Sequence, residues 1–204
     1  MTTLIVLTVA AYFLGSVSFA VLVSRALHLP DPRTYGSRNP GATNVLRTGK
    51  KVAAVLTVLG DGVKGWLAVY IAARYAETGM MDQTMATAAV AVILGHMYPL
   101  FFRFQGGKGV ATALGVLVAL NLYLAVGSLA TWVIIAAFFR ISSLAALVAA
   151  VFAPFFALIL YNAAHPFFVA VTVFCILLIF RHRENIRNLV AGKEGRIGSG
   201  PAAN

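Results

Sequence analysis

Residues 110–139 read VATALGVLVALNLYLAVGSLATWVIIAAFF, an apolar run of 30 without a charged side chain. A helix needs about 20 such residues to cross a bilayer, so the run is long for one span and short for two. Asn121 and Tyr123 are weak turn signals near its middle. Whether the run is one helix or a hairpin decides on which side of a membrane the rest of the chain lies.

The composition supplies the membrane. The chain has 204 residues, 60% of them hydrophobic and 11% charged, with a mean hydropathy of +0.88. That excludes an ordinary soluble domain and fits a polytopic helical protein. The net charge of +10 comes from 16 Lys+Arg against 6 Asp+Glu. The cations sit in short gaps between apolar runs, so they read as topology signals, and nucleic acid is not expected as a partner.

Before the run, residues 2–24 form a first apolar span that ends at Arg25. No basic segment precedes it, so it reads as an uncleaved helix. Residues 25–51 are a polar loop with six cations, residues 52–76 a second span broken by Asp61 and Lys64, and residues 77–83 a short acidic turn. Residues 84–102 form a third span. After the run come Arg140 to Ser143, a span over 144–161, a polar turn over 162–166, a last span to Phe180, and a basic tail. The tail ends in glycine-rich residues expected to be loose.

Parity resolves the run. With residues 25–51 in the cytoplasm, a single helix over 110–139 sends Arg140 and the basic tail outside. A hairpin with its tip near Asn121 keeps them inside and places 14 of the 16 Lys+Arg on the cytoplasmic side, Lys64 and Arg74 lying within span two. The expectation is therefore an all-α, polytopic membrane protein. It has seven helices in one domain over 1–204, the N-terminus outside and the C-terminus cytoplasmic. The fourth helix, residues 110–120, rises only about 16 Å and is short, tilted or shielded by protein.

Four polar stretches then share the cytoplasmic face. Just before the run, Gly106, Gly107 and Gly109 surround Lys108, a backbone able to turn N–H groups toward an anion ahead of a helix start. Gly36 to Asn44 contains Ser37, Asn39, Gly41, Thr43 and Asn44, which suits either a loop of small donors or a capped turn. Asp61 and Lys64 share a helix face, as an ion pair holding helices or with Asp61 orienting Lys64 toward a site. His96 reads as an interhelical hydrogen-bonding residue or a ligand. His182 and Asn185 share one face of a tail helix, and Glu184 is placed to pair a cation of another loop.

Absences narrow the chemistry. The lone Cys175 allows no intrachain disulfide, and no HEXXH, CxxC or carboxylate cluster suggests a metal. No His-x-x-x-x-Asp and no G-x-S-x-G nucleophile elbow occurs. Many cations and N–H donors with few acids suit two phosphate-bearing reactants at a lipid interface, where catalysis works by positioning and charge stabilisation.

Gly36-Ser-Arg-Asn-Pro-Gly-Ala-Thr-Asn44, Gly95-His-x-x-Pro-x-Phe with Gly106-Gly-Lys-Gly-Val-Ala-Thr112, and Arg181-His-Arg-Glu-Asn-Ile186 occur in that order. Together they resemble the three cytoplasmic motifs of the bacterial membrane acyl-phosphate:glycerol-3-phosphate acyltransferases, as does Asp61-x-x-Lys64-Gly65. The resemblance spans roughly Leu14 to Gly198. One departure is Gly15-Ser-Val-Ser-Phe19, where the family has a proline after Ser-Ile.

The resemblance implies a seven-helix enzyme of the bacterial inner membrane, without cofactor or metal. It implies transfer of an acyl group from acyl phosphate to the sn-1 hydroxyl of glycerol 3-phosphate, giving lysophosphatidic acid and phosphate. By motif, Ser37, Arg47 and Lys108, with Gly106, Gly107 and Gly109, hold phosphates. His182 and Asn185 hold glycerol phosphate, with His182 or a substrate phosphate as the base. Asn39, Gly41, Thr43, Asn44, Lys64, His96, Ser142 and Ser143 complete the expected substrate-binding set, and Asp61 and Glu184 are expected to be structural. The oligomeric state is left open, a monomer being compatible. From another class, a transporter for phosphorylated metabolites would also suit one-sided cations and broken polar segments.

Overall fold

The structure, a computed structural model, describes residues 1–197. Their regular elements are helices, and no strand occurs among the described residues. The first expected span is broken. It consists of α1 (Thr2–Gly15) and α2 (Phe19–Ala26), bent by 41°. Gly15 lies flat on a neighbouring helix, where an added Cβ would fall on the Val92 carbonyl. The break frees the Val17 carbonyl, and Lys64 Nζ donates to it at 2.6 Å. A backbone acceptor exposed at membrane depth must be satisfied by protein, and here a buried ammonium does so.

The short α3 (Ala42–Leu46) ends the first polar loop and leads into the long α4 (Lys51–Tyr75). Then comes α5 (Met81–Met97), followed by a 3-10 turn at Leu100–Phe102 and left-handed Arg103 and Phe104. α5 is the axis of the molecule. It packs against α1, α4, and two later helices, α6 (Val110–Leu120) and α9 (Pro166–Arg181). Its own Ala88, Ala89, Val92 and Ile93 meet Val116 and Phe174 in a continuous core. Small residues let backbones close in without solvent-driven association. α6 docks on α4 so tightly that a Cβ on Gly115 would strike the Gly62 carbonyl.

The 30-residue run divides at Asn121, between α6 and α7 (Leu122–Phe139). Asn121 Oδ1 accepts from the N–H of Tyr123 and Leu124 at 2.9 and 3.2 Å, an N-cap that starts α7. Its Nδ2 donates to Tyr161 Oη at 3.0 Å. Left-handed Arg140 turns the chain into α8 (Ser142–Leu160). After α9, His182 marks a 57° bend into α10 (Arg183–Val190).

By length and composition, four helices among the described residues can cross a membrane alone, counting α5 with its 3-10 extension, and the two bent pairs pass the same test together. α6, with 11 residues, is shorter. The outer faces are apolar, as Val133, Phe138, Phe155 and Ile159 show, which suits lipid as the surrounding solvent.

Candidate active site

The glycine-lysine turn is held by its surroundings. Gly107 N–H donates to the His96 carbonyl at 3.1 Å. Arg181 clamps it from α9, donating from Nη2 to Gly106 O at 2.8 Å and from Nε to Gly107 O at 3.3 Å. An added Cβ on Gly106 would fall on the His96 carbonyl, and one on Gly107 on His96 Nε2, with the Pro40 carbonyl 3.0 Å away. So the turn lies between α5 and the first polar loop with no room for a side chain. Gly109 is left-handed and starts α6 at Val110, which brings unpaired first-turn N–H groups to the loop.

The first loop is organised from within by Asn44. Its Oδ1 accepts from Ser37 N–H at 3.1 Å, and its Nδ2 donates to Pro32 O and Tyr35 O at 2.7 and 3.2 Å. Expected to contact substrate, Asn44 is instead buried and committed to the loop backbone. Ser37, Thr43 and Arg47 are exposed beside it, with Asn39 and Gly41 partly covered.

Lys64 and His96, expected among the substrate-binding residues, are also buried and paired. Lys64, 1% exposed, forms an ion pair with Asp61 at 2.8 Å. His96 Nδ1 lies 3.1 Å from Thr112 Oγ1 and 3.6 Å from Asp61 Oδ1. Together they form a buried polar layer beneath the glycine turn, joining α1, α4, α5 and α6. Charges that far from water are retained only when paired, and removing one partner leaves the other uncompensated.

Above this layer the cations converge. Burial pushes the Lys108 ammonium down, opposed by the carboxylates of Glu194 and Glu184 and reinforced by Arg181 and Arg47. Four charged groups, Arg47 from the first loop, Arg181 and Glu184 from the third motif and Glu194 from the tail, therefore act on Lys108 here. The Glu184 side chain makes no hydrogen bond or ion pair among the described residues. The acid that bonds site donors is Glu194, whose Oε1 accepts from Ser143 Oγ at 2.7 Å and Asn185 Nδ2 at 2.6 Å. Ser142 stands one residue earlier at the start of α8.

His182 is 2% exposed, just beyond the end of α9. Its Nδ1 lies 2.8 Å from the Leu178 carbonyl. A carbonyl only accepts, so Nδ1 carries the proton and Nε2 is left as an acceptor. Burial pushes its pKa down to about 4, with nearby Lys108 adding to the effect.

Sequence reasoning missed Arg181, Thr112 and Glu194 as parts of the site. Glu194 had one signal, being one of only 6 acids in a chain of strong positive charge. The tail expected to be loose folds back over residues 191–197, and the remaining residues 198–204 lie outside the described ones.

Residues 5–192 match the family model described as Glycerol-3-phosphate acyltransferase. Proteins of that name from Cupriavidus taiwanensis and Ralstonia nicotianae are 61% and 60% identical to this chain, over 93% and 95% of it and 94% of each relative. The fold is similar to the crystal structure of an integral membrane glycerol 3-phosphate acyltransferase in its glycerol 3-phosphate form, with a TM-score of 0.88, 39% identity and 96% of both chains covered. The lysophosphatidic acid form is similar at a TM-score of 0.84, with 40% identity over 96% of this chain and 95% of that one.

Proposed function

The chain belongs to the glycerol-3-phosphate acyltransferase family, and from that premise we propose how its site carries out the transfer. Acyl phosphate gives its acyl chain to the sn-1 hydroxyl of glycerol 3-phosphate, producing lysophosphatidic acid and inorganic phosphate. The observation that carries this reading is the convergence of Arg47, Lys108, Arg181 and the glycine turn with the acceptors of His182 and Asn185. Cations and N–H groups suit two phosphates, and acceptors suit hydroxyls.

An acyl phosphate is a mixed anhydride, already activated, so no acyl-enzyme is needed. Lys108, Arg47, Ser37 and the N–H groups of Gly106 and Gly109 stabilise the departing phosphate, while Gly107, its own N–H given to the His96 carbonyl, fixes the shape of the turn. Ser142 adds a donor at the α8 N-terminus. Asn39, Gly41 and Thr43 line the first-loop side, while Asn44, Asp61, Lys64 and His96 hold the loops in place. His182 Nε2 accepts a hydrogen bond from the attacking hydroxyl and orients it. An imidazole near 4 is a weaker base than a phosphate monoester, whose second ionisation lies near 6, so a phosphate oxygen receives the proton.

The chain is one transmembrane domain of the bacterial inner membrane. It has seven spans, with the bent α1–α2 pair as the first and α6 as the short fourth. The N-terminus is outside, and the site faces the cytoplasm, where soluble glycerol 3-phosphate meets a lipid-borne donor. The positive-inside distribution of Lys and Arg supports this orientation.

The test is purified protein in detergent with acyl phosphate and glycerol 3-phosphate. Phosphate release coupled to lysophosphatidic acid formation, without a sealed membrane, is the expected result. No turnover, together with uptake of phosphorylated solutes into liposomes, would favour the transporter. Lys108→Ala should lower turnover by at least about 100-fold while the protein stays monodisperse. A near-normal rate would remove Lys108 from the mechanism.

A further inference from the structure

The C-terminal segment is a strap across the site. After α10, left-handed Gly192 turns the chain, and Lys193 N–H donates to Asn188 O at 2.8 Å. At the far end, Ile197 N–H donates to Arg140 O at 2.6 Å, and Arg140 Nη2 returns a bond to Ile197 O at 3.2 Å. Between these anchors Gly195 passes Arg47, whose Nη2 would lie 3.7 Å from a Cβ there. Glu194 is thereby held in place from both sides, with Lys108 as a nearby countercharge.

Its carboxylate offers only acceptors. Asn185 must turn its NH2 toward it, as the 2.6 Å contact requires. The opposite amide orientation would set two acceptors against each other. With Nδ2 so fixed, Asn185 Oδ1 points elsewhere, shut off from solvent and without a hydrogen-bond partner. Ser143 gives its single proton to the same carboxylate and so has none for a phosphate.

We propose that Glu194 is a positioning residue that makes Asn185 an acceptor, so that Asn185 Oδ1 receives the C2 hydroxyl of glycerol 3-phosphate. This rests on the reading of the site given above, in which His182 Nε2 takes the C1 hydroxyl. His182 and Asn185 stand one helical turn apart and then present two acceptors to the two hydroxyls of one molecule. The phosphate is left to the cations and the glycine turn. Glu194 therefore sets selectivity for the hydroxyl at C2 without touching substrate.

The test compares binding of glycerol 3-phosphate with that of 3-hydroxypropyl phosphate, which lacks only the C2 hydroxyl. Binding is measured by calorimetry on the full chain in detergent, without acyl donor. Wild type should prefer glycerol 3-phosphate by about 30-fold, the scale of one buried acceptor left unpaired. Glu194→Ala should cut the preference to within about threefold, chiefly by weakening glycerol 3-phosphate, because the freed amide can turn over. Asn185→Asp should impair binding by setting two carboxylates together. Adding Glu194→Gln should restore most of the preference, since the glutamine amide can donate to Asp and leave one oxygen for the hydroxyl.

Equal weakening of both ligands by Glu194→Ala, with the preference intact, would reduce the strap to a structural tie and overturn the proposal. Should Glu194→Ala not fold, a folded Asn185→Asp/Glu194→Gln protein without preference would do the same. Equal binding of the two ligands by wild type overturns it directly. Failure of wild type to bind glycerol 3-phosphate at all would defeat the reading of the site itself.

Discussion

The ring of His182 is fixed by one contact and discharged by its surroundings. Nδ1 donates to Leu178 O, burial removes water, and Lys108 adds a like charge, so the pKa falls to about 4. Between pH 5 and 8 the ring is neutral with or without small perturbations. Labelled-histidine NMR in detergent should show a midpoint near 4 for this residue, moving upward when the anionic substrate binds. A midpoint near the ordinary 6.5 would mean that water reaches the ring. A fall in turnover between pH 7 and pH 5.5 is expected from protonation of substrate phosphate, whose pKa is near 6. Lys108 was legible as a candidate from its glycine turn, and His182 and Asn185 from the motif resemblance. Glu194 was not, because its role depends on which donors a folded tail meets.

Helix α6 is positioned by its contact with α4 more than by its own length. Gly115 against the Gly62 carbonyl, and Gly65 against the Thr112 carbonyl, leave no space for side chains. Gly115→Leu should force the helices apart at a cost of at least about 1–3 kcal/mol, seen as a lower Tm in detergent. Because Gly109 opens the same helix, the variant should also raise KM for glycerol 3-phosphate. An unchanged Tm would show that α6 is free to shift. At this scale the break at Asn121 was readable, since an asparagine in an apolar run caps a helix start. The break at Ser16–Ser18 was not. A stretch without proline looked continuous, and only the proximity of Lys64 explains what satisfies Val17 O.

Across the whole molecule, the two ends are chemically different. One end ties Met1 to Glu77 at 2.9 Å and sets His165 Nε2 3.4 Å from Asp82. The other gathers the glycine turn, the first loop, the α8 start and the strap. Cysteine labelling at positions 77 and 123 from outside intact cells, with protection at positions 51 and 193, is the expected pattern. Protection of position 123 would defeat the hairpin and the seven-span reading. The apolar belt between the two ends accounts for the composition that first pointed to a membrane.

Composition, the parity of cationic loops and three polar motifs were enough for an all-helical membrane chain and for its family, because each is a property of local residue types. Three dimensions decided which polar residues are bonded into the frame and which keep a polar atom free. Asn44, Lys64 and His96 are the same kinds of residue as Asn185, Lys108 and His182. Burial alone does not separate them, since His182 is as buried as His96; partners do, Asn44 and Lys64 spending their polar groups on the frame while Asn185 Oδ1 has none. A side chain whose donors and acceptors are already matched has none left for a ligand, and that matching exists only once distant segments are packed together.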